Sequence, residues 1–81
     1  MMYFVYIIKS FVNSDKIYVG YTTDLQQRLK THNFGGSVFT AKYRPWELVA
    51  YFGFNDEHVA KNFEKYLKTP SGKSFAKKRF W

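Results

Sequence analysis

Two runs rich in β-branched and aromatic residues, Tyr3 to Lys9 and Lys16 to Tyr21, are separated by the turn formers Asn13, Ser14 and Asp15. Such a pattern folds as a hairpin, and a hairpin sorts its side chains onto two faces with a period of two. If it closes symmetrically near Val12, Tyr6 lies opposite Tyr18 and both phenols emerge on one face. The other face then carries Val5, Ile7, Ile17 and Val19, an apolar set that a helix must cover. A one-residue slip would put the two tyrosines on opposite faces.

The rest of the chain supplies the cover. Thr23-Asp24-Leu25-Gln26 has the form of a capping box, with Thr23 as N-cap, and opens a helix that runs to about Asn33, where Gly35-Gly36 ends it. Leu25 and Leu29 form its buried stripe, with Arg28 and His32 stacked one turn apart on the flank. Phe34 to Pro45 reads as a loop and Trp46 to Phe54 as a third strand. Asn55 or Asp56 caps a longer helix whose core face is Val59, Phe63, Tyr66 and Leu67, with Glu64 at its border. Pro70 stops that helix, and Ser71 caps a short final one ending near Arg79. The expected fold is an α/β sandwich in the order β-β-α-β-α-α, a small, mainly antiparallel three-stranded sheet with packed helices.

At 81 residues this is a single domain, 1–81, with no room for a second. Aromatic residues make up 22% of it, which compensates for the small core that so short a chain can bury. With no cysteine, thiolate nucleophiles, disulfides and zinc-thiolate sites are excluded. No stretch reads as a signal peptide or a membrane span, so a soluble cytoplasmic domain is expected. Net charge is +7 and unevenly placed: residues 1–60 carry six bases and five acids, whereas 61–81 carry seven bases and one acid, Glu64. Lys68, Lys73, Lys77, Lys78 and Arg79 belong to this cluster, which has the form of a polyanion-binding surface or, more plainly, of a solvated helix face.

Several residues have the chemistry to act on a phosphodiester. The Arg28 guanidinium could fork onto phosphate oxygens, or pair with Asp24 four residues earlier. Gly20, inside a strand, marks either close approach of a ligand or a packing constraint. His32 could bond a phosphate or move a proton, or simply pack. Glu64 could hold one Mg²⁺ with water and phosphate oxygens, or pair with Lys61, Lys65 or Lys68. Lys42 and Arg44 could contact phosphates, and Tyr43 or Phe39 could stack on an unpaired base, though Tyr43 and Trp46 could equally close the core.

Phe4-Val5-Tyr6, then Tyr18-Val19-Gly20, then Arg28 eight positions after that glycine, together with His32 and Glu64, resembles the GIY-YIG nuclease family, in particular its small single-domain bacterial branch, related to the nuclease domain of the UvrC repair endonuclease. The resemblance runs from Met2 to about Arg79, with Phe4 where the family name has glycine. It implies that Tyr6 and Tyr18 orient or deprotonate the attacking water, that Arg28 is the catalytic arginine assisted by His32, and that Glu64 holds a divalent cation, Mg²⁺ or Mn²⁺. A phenol has a pKa near ~10, so a general-base role needs a nearby cation. The expectation is a divalent-metal-dependent endonuclease acting on DNA in repair or recombination, with a non-catalytic nucleic-acid-binding module as the alternative. The partners expected are nucleic acid and a protein that supplies specificity, without a membrane. Tyr6, Tyr18, Arg28 and Glu64 should converge on one partly exposed concave face.

Overall fold

The structure, a computed structural model, describes residues 1–34 and 38–80, apart from the side chains of Val38 and Phe39. The helix stop at Gly35-Gly36 and the stacking role of Phe39 lie outside these residues. Strand β1 (Tyr3–Ser10) is central, flanked by β2 (Ile17–Thr22) and β3 (Trp46–Phe54), and both pairings are antiparallel. Helices α1 (Leu25–Asn33), α3 (Glu57–Leu67) and α4 (Pro70–Phe80) complete the expected order. The segment read as a loop from Phe34 to Pro45 also holds a one-turn helix, α2 (Val38–Lys42).

The hairpin register differs from the symmetric closure near Val12. Tyr6 pairs with Gly20, and Tyr18 pairs with Ile8. The turn sits one residue later because Lys16 N–H donates to the Asn13 carbonyl at 2.9 Å while Asn13 Oδ1 accepts from Asp15 N–H at 3.2 Å. A slip of two residues preserves the faces, so Tyr6 and Tyr18 remain on one side as diagonal neighbours, ring centroids 6.3 Å apart. Val5 and Ile7, with Ile17 and Val19 beside them, face the other side, where Ala60, Leu67 and Ala76 from α3 and α4 cover them. Phe63 and Phe80 pack edge-on against Phe52 of β3 and widen this core.

A bulge in β3 shapes the opposite face. Ile7 pairs with Ala50 but Ile8 pairs with Leu48, so Val49 is the extra residue and the side-chain parity switches there. The switch brings Trp46 onto the Tyr6 and Ile8 side, where the three form a second buried cluster with Leu25, Leu29, Tyr18 and Tyr43 against it.

Helix ends are displaced by about one residue from the sequence reading. Asp24, not Thr23, caps α1 by accepting from Gln27 N–H, because the Thr22 hydroxyl already ties Asp24 to the strand end. Asp56 caps α3. The buried face of α3 is Ala60, Phe63 and Leu67, while Val59 and Tyr66 are exposed, a rotation away from the expected stripe. Pro70 begins α4 instead of only ending α3: a proline costs nothing at a first helical position, and Thr69 Oγ1 accepts from Gly72 N–H in place of the expected Ser71 cap. A Cβ at Gly72 would run into the Tyr66 carbonyl, so this glycine lets α4 fold back closely on α3.

Candidate active site

The Tyr6 ring is buried under α1, 1% exposed, and its hydroxyl shares a 2.7 Å hydrogen bond with His32 Nε2. His32, 2% exposed, uses its other ring nitrogen on Thr40 Oγ1 at 3.0 Å. The Thr40 carbonyl in turn accepts from the Trp46 indole N–H at 2.6 Å. This Tyr6–His32–Thr40–Trp46 chain ties β1, α1, α2 and β3 together. Tyr18 stands edge-on to the His32 ring at 4.9 Å and is half-buried. The expectation that both phenols emerge together is therefore corrected: Tyr18 reaches the surface and Tyr6 lies one layer below it.

Burial sets the protonation of this chain. It pushes the Tyr6 phenol far above its ordinary value, and Tyr18 and Glu64 add to the rise while the Arg28 guanidinium opposes it. Burial also lowers the His32 pKa, and the Arg28 charge lowers it further. At neutral pH the pair is thus a phenol and a neutral imidazole, which holds the proton inventory of the hydrogen bond fixed. Arg28 itself is exposed on α1, forms no ion pair among the described residues, and has its guanidinium within hydrogen-bonding reach of the Tyr6 phenol.

Gly20 has a reason inside the molecule. A Cβ there would strike the Tyr6 ring, with Tyr6 Cε1 at 2.8 Å and the hydroxyl end closer still. The space a side chain would take is filled by the phenol, so the buried Gly20 serves Tyr6 before it serves any ligand.

Arg28 and Glu64 do not share one face of the sheet. α1 packs on the Tyr6 side and α3 on the Val5 side. Their charges nevertheless meet at the Tyr6 phenol, one lowering and the other raising its pKa. The expectation that Tyr6, Tyr18, Arg28 and Glu64 lie on one concave face is corrected accordingly, since the two helices that carry the charges cover opposite faces of the sheet. Glu64 is half-buried and its Oε2 accepts from the Lys68 ammonium at 3.1 Å, the plainer of the two roles open to it. A carboxylate that already holds one cation fits a one-ligand divalent site with phosphate oxygens and water as the other ligands. Among the described residues no group of three or more His, Asp or Glu offers a fuller cage.

Of the other expected contacts, Lys42 and Arg44 are exposed. Tyr43 packs on the Tyr6 cluster, with Lys16 Nζ over its ring at 5.3 Å, so core closure accounts for it. Lys68, Lys73 and Lys77 line a groove beside β2, whereas Lys78 and Arg79 are outside its lining and Arg79 stacks on Phe75 at 5.8 Å. The sequence reading assigned no role to Thr40, the second anchor of His32. It also passed over Tyr21, whose hydroxyl donates to Glu57 at 2.8 Å and whose pKa is pushed to about 12 by local desolvation and then by that carboxylate.

Residues 2–79 match the family model of the GIY-YIG catalytic domain. The chain belongs to the GIY-YIG family. It is 43% identical over 68 residues to the UPF0213 protein YsiG of Lactococcus lactis and 42% identical over 67 residues to the UPF0213 protein YazA of Bacillus subtilis. These matches take in 82% of this chain and 62% and 66% of those proteins, so the chain spans somewhat under two thirds of their length. It is 40% identical over 75 residues to the structure-specific endonuclease subunit SLX1 of Podospora anserina, covering 85% of this chain and 22% of that protein. A solution NMR structure of a UPF0213 protein from Bacillus halodurans superposes with a TM-score of 0.58 at 31% identity, over 96% of this chain and 84% of that one. No helix among the described residues is long and apolar enough to cross a membrane.

Proposed function

We propose that this GIY-YIG domain is a divalent-metal-dependent endonuclease that cleaves DNA, selecting its substrate by structure and serving repair or recombination. The observation that carries the proposal is the buried Tyr6–His32 pair, held neutral at 2.7 Å beneath a half-exposed Tyr18 and flanked by the opposed charges of Arg28 and Glu64. A packing role alone does not call for a buried phenol and imidazole placed between an exposed cation and a carboxylate.

In this reading Tyr18 and Arg28 touch the substrate. Arg28 binds the scissile phosphate and opposes the charge that builds on it, and Tyr18 orients the attacking water. Tyr6 and His32 are positioning residues: they fix the Tyr18 ring from below and keep protons out of the layer beneath it. Glu64 would hold Mg²⁺ or Mn²⁺ once released by Lys68, and the ion would supply charge for the leaving oxygen when bound. A partner protein that adds specificity is part of the proposal, in keeping with a relative described as an endonuclease subunit.

The second reading, a nucleic-acid-binding module without catalysis, is favoured by one observation, the Lys68 ammonium already seated on Glu64. Incubation of the protein with nicked, flapped, branched and single-stranded DNA, with and without Mg²⁺ or Mn²⁺, separates the two. Metal-dependent cleavage of at least one substrate supports the endonuclease. Salt-sensitive binding to all of them with no cleavage supports the module.

A further inference from the structure

The open edge of β2 does not face bulk solvent along its whole length. A groove of about 700 Å³ runs beside it, bounded by Asp15, Ile17, Tyr18 and Val19 on one wall and by Leu67, Lys68, Lys73, Ser74 and Lys77 on the other. Its base includes the buried Leu67 and the half-buried Ile17 and Val19, and its far wall carries three ammonium groups against the one carboxylate of Asp15. Tyr18 lines the groove, and Lys68 joins it to Glu64 through the 3.1 Å ion pair. The groove therefore starts at the proposed cleavage site and leads away from it along α4.

Its shape and chemistry discriminate between nucleic-acid forms. A duplex presents phosphates and sugars outward and keeps its base faces stacked, so it needs cations but has no use for an apolar floor. An unpaired strand, by contrast, offers both phosphates and open base faces. We infer that the β2–α4 groove binds an unpaired strand, with its phosphates on Lys73 and Lys77 and its bases over the apolar floor of Ile17, Val19 and Leu67. This rests on reading the domain as one that acts on nucleic acid. An acidic peptide added along the β2 edge is the rival occupant, and the three lysines alone would suit it, but it would leave the apolar floor of Ile17, Val19 and Leu67 without a counterpart.

The test is fluorescence anisotropy in EDTA with a labelled single strand of about 12 nucleotides and a blunt duplex of the same sequence. Wild type should favour the single strand by at least about tenfold. Lys73→Glu combined with Lys77→Glu should weaken single-strand binding by at least about tenfold and reduce its salt slope by about 1.4, the loss of two contacts at about 0.7 each. Lys30→Glu combined with Lys61→Glu makes the same change in net charge at exposed positions off the groove and should weaken binding by less than about threefold. Equal affinity for duplex, equal losses in the two double variants, or displacement of the strand by polyglutamate at comparable concentration would each overturn the inference. Cleavage is scored separately with metal, so the two readings fail independently. A protein that cleaves yet shows none of these preferences removes the groove and keeps the nuclease. One that binds single strands through Lys73 and Lys77 without cleaving does the reverse.

Discussion

Gly20→Ala tests the packing beneath the site with a single methyl group. In a strand, alanine gains roughly 0.5–1 kcal/mol over glycine through reduced chain entropy, so by propensity alone this substitution would stabilise. The structure predicts the opposite sign. The added Cβ occupies the volume of the Tyr6 ring end, and Tyr6 cannot swing aside because it is 1% exposed and tied to His32. With the ring end held this tightly the cost falls in the upper part of the usual overpacking range, about 2–3 kcal/mol, leaving a net loss of about 1–2 kcal/mol. For a domain of this size each kcal/mol moves Tm by about 4–8 °C, so circular-dichroism melts should show a fall of roughly 5–15 °C. The cause is checked by a double-mutant cycle: in a Tyr6→Leu background the ring end is gone, and Gly20→Ala should cost less than about 0.5 kcal/mol. A Gly20→Ala protein as stable as wild type, or strict additivity in the cycle, would refute the argument.

Three further outcomes follow from the same geometry. Tyr6→Phe keeps the ring but leaves His32 Nε2 buried without its partner, which should lower stability by about 1–3 kcal/mol in denaturant titrations and also slow any cleavage. Stability should fall as pH drops below about 6.5, the ordinary histidine value, because the unfolded chain protonates there while folded His32, its pKa lowered, resists; His32→Asn should flatten that limb of the pH–stability curve. Arg28→Ala should reduce cleavage by at least ~10²-fold in single-turnover assays while weakening DNA binding only modestly, since other bases remain on the backbone.

Much of this architecture was legible because it depends on periodicity, which tolerates small errors. The hairpin register slipped by two residues, yet Tyr6 and Tyr18 stayed on one face and Val5, Ile7, Ile17 and Val19 on the other, since a shift of two restores parity. The slip itself was hidden in the turn: Asn13 sets the hairpin centre through one backbone and one side-chain bond, and several residues there could have done so. Caps were displaced for a similar reason, because Thr23 and Asp24 are both competent and only the tie to Thr22 chooses between them. The exposure of Val59 and Tyr66 reflects how α3 is rotated to bury Ala60 beneath the sheet, which composition does not encode. The candidate residues were found by type and spacing, but their depth was not: Tyr6 and His32 look equivalent to Tyr18 and Arg28 in sequence and lie beneath them in space. Thr40 carried no pattern at all, and the β2–α4 groove joins residues about 50 positions apart that only the packing of α3 and α4 brings together.

The most direct test of the account is Glu64→Gln assayed on a flapped or branched DNA with Mg²⁺ or Mn²⁺. The substitution preserves size, removes the charge that Lys68 and the proposed metal compete for, and leaves the Tyr6–His32 pair intact. The account predicts that wild type cleaves, that Glu64→Gln loses at least ~10²-fold of that activity, and that its DNA affinity stays equal or rises slightly. Undiminished metal-dependent cleavage by Glu64→Gln, or tight binding with no cleavage by wild type on any structured DNA, would contradict it.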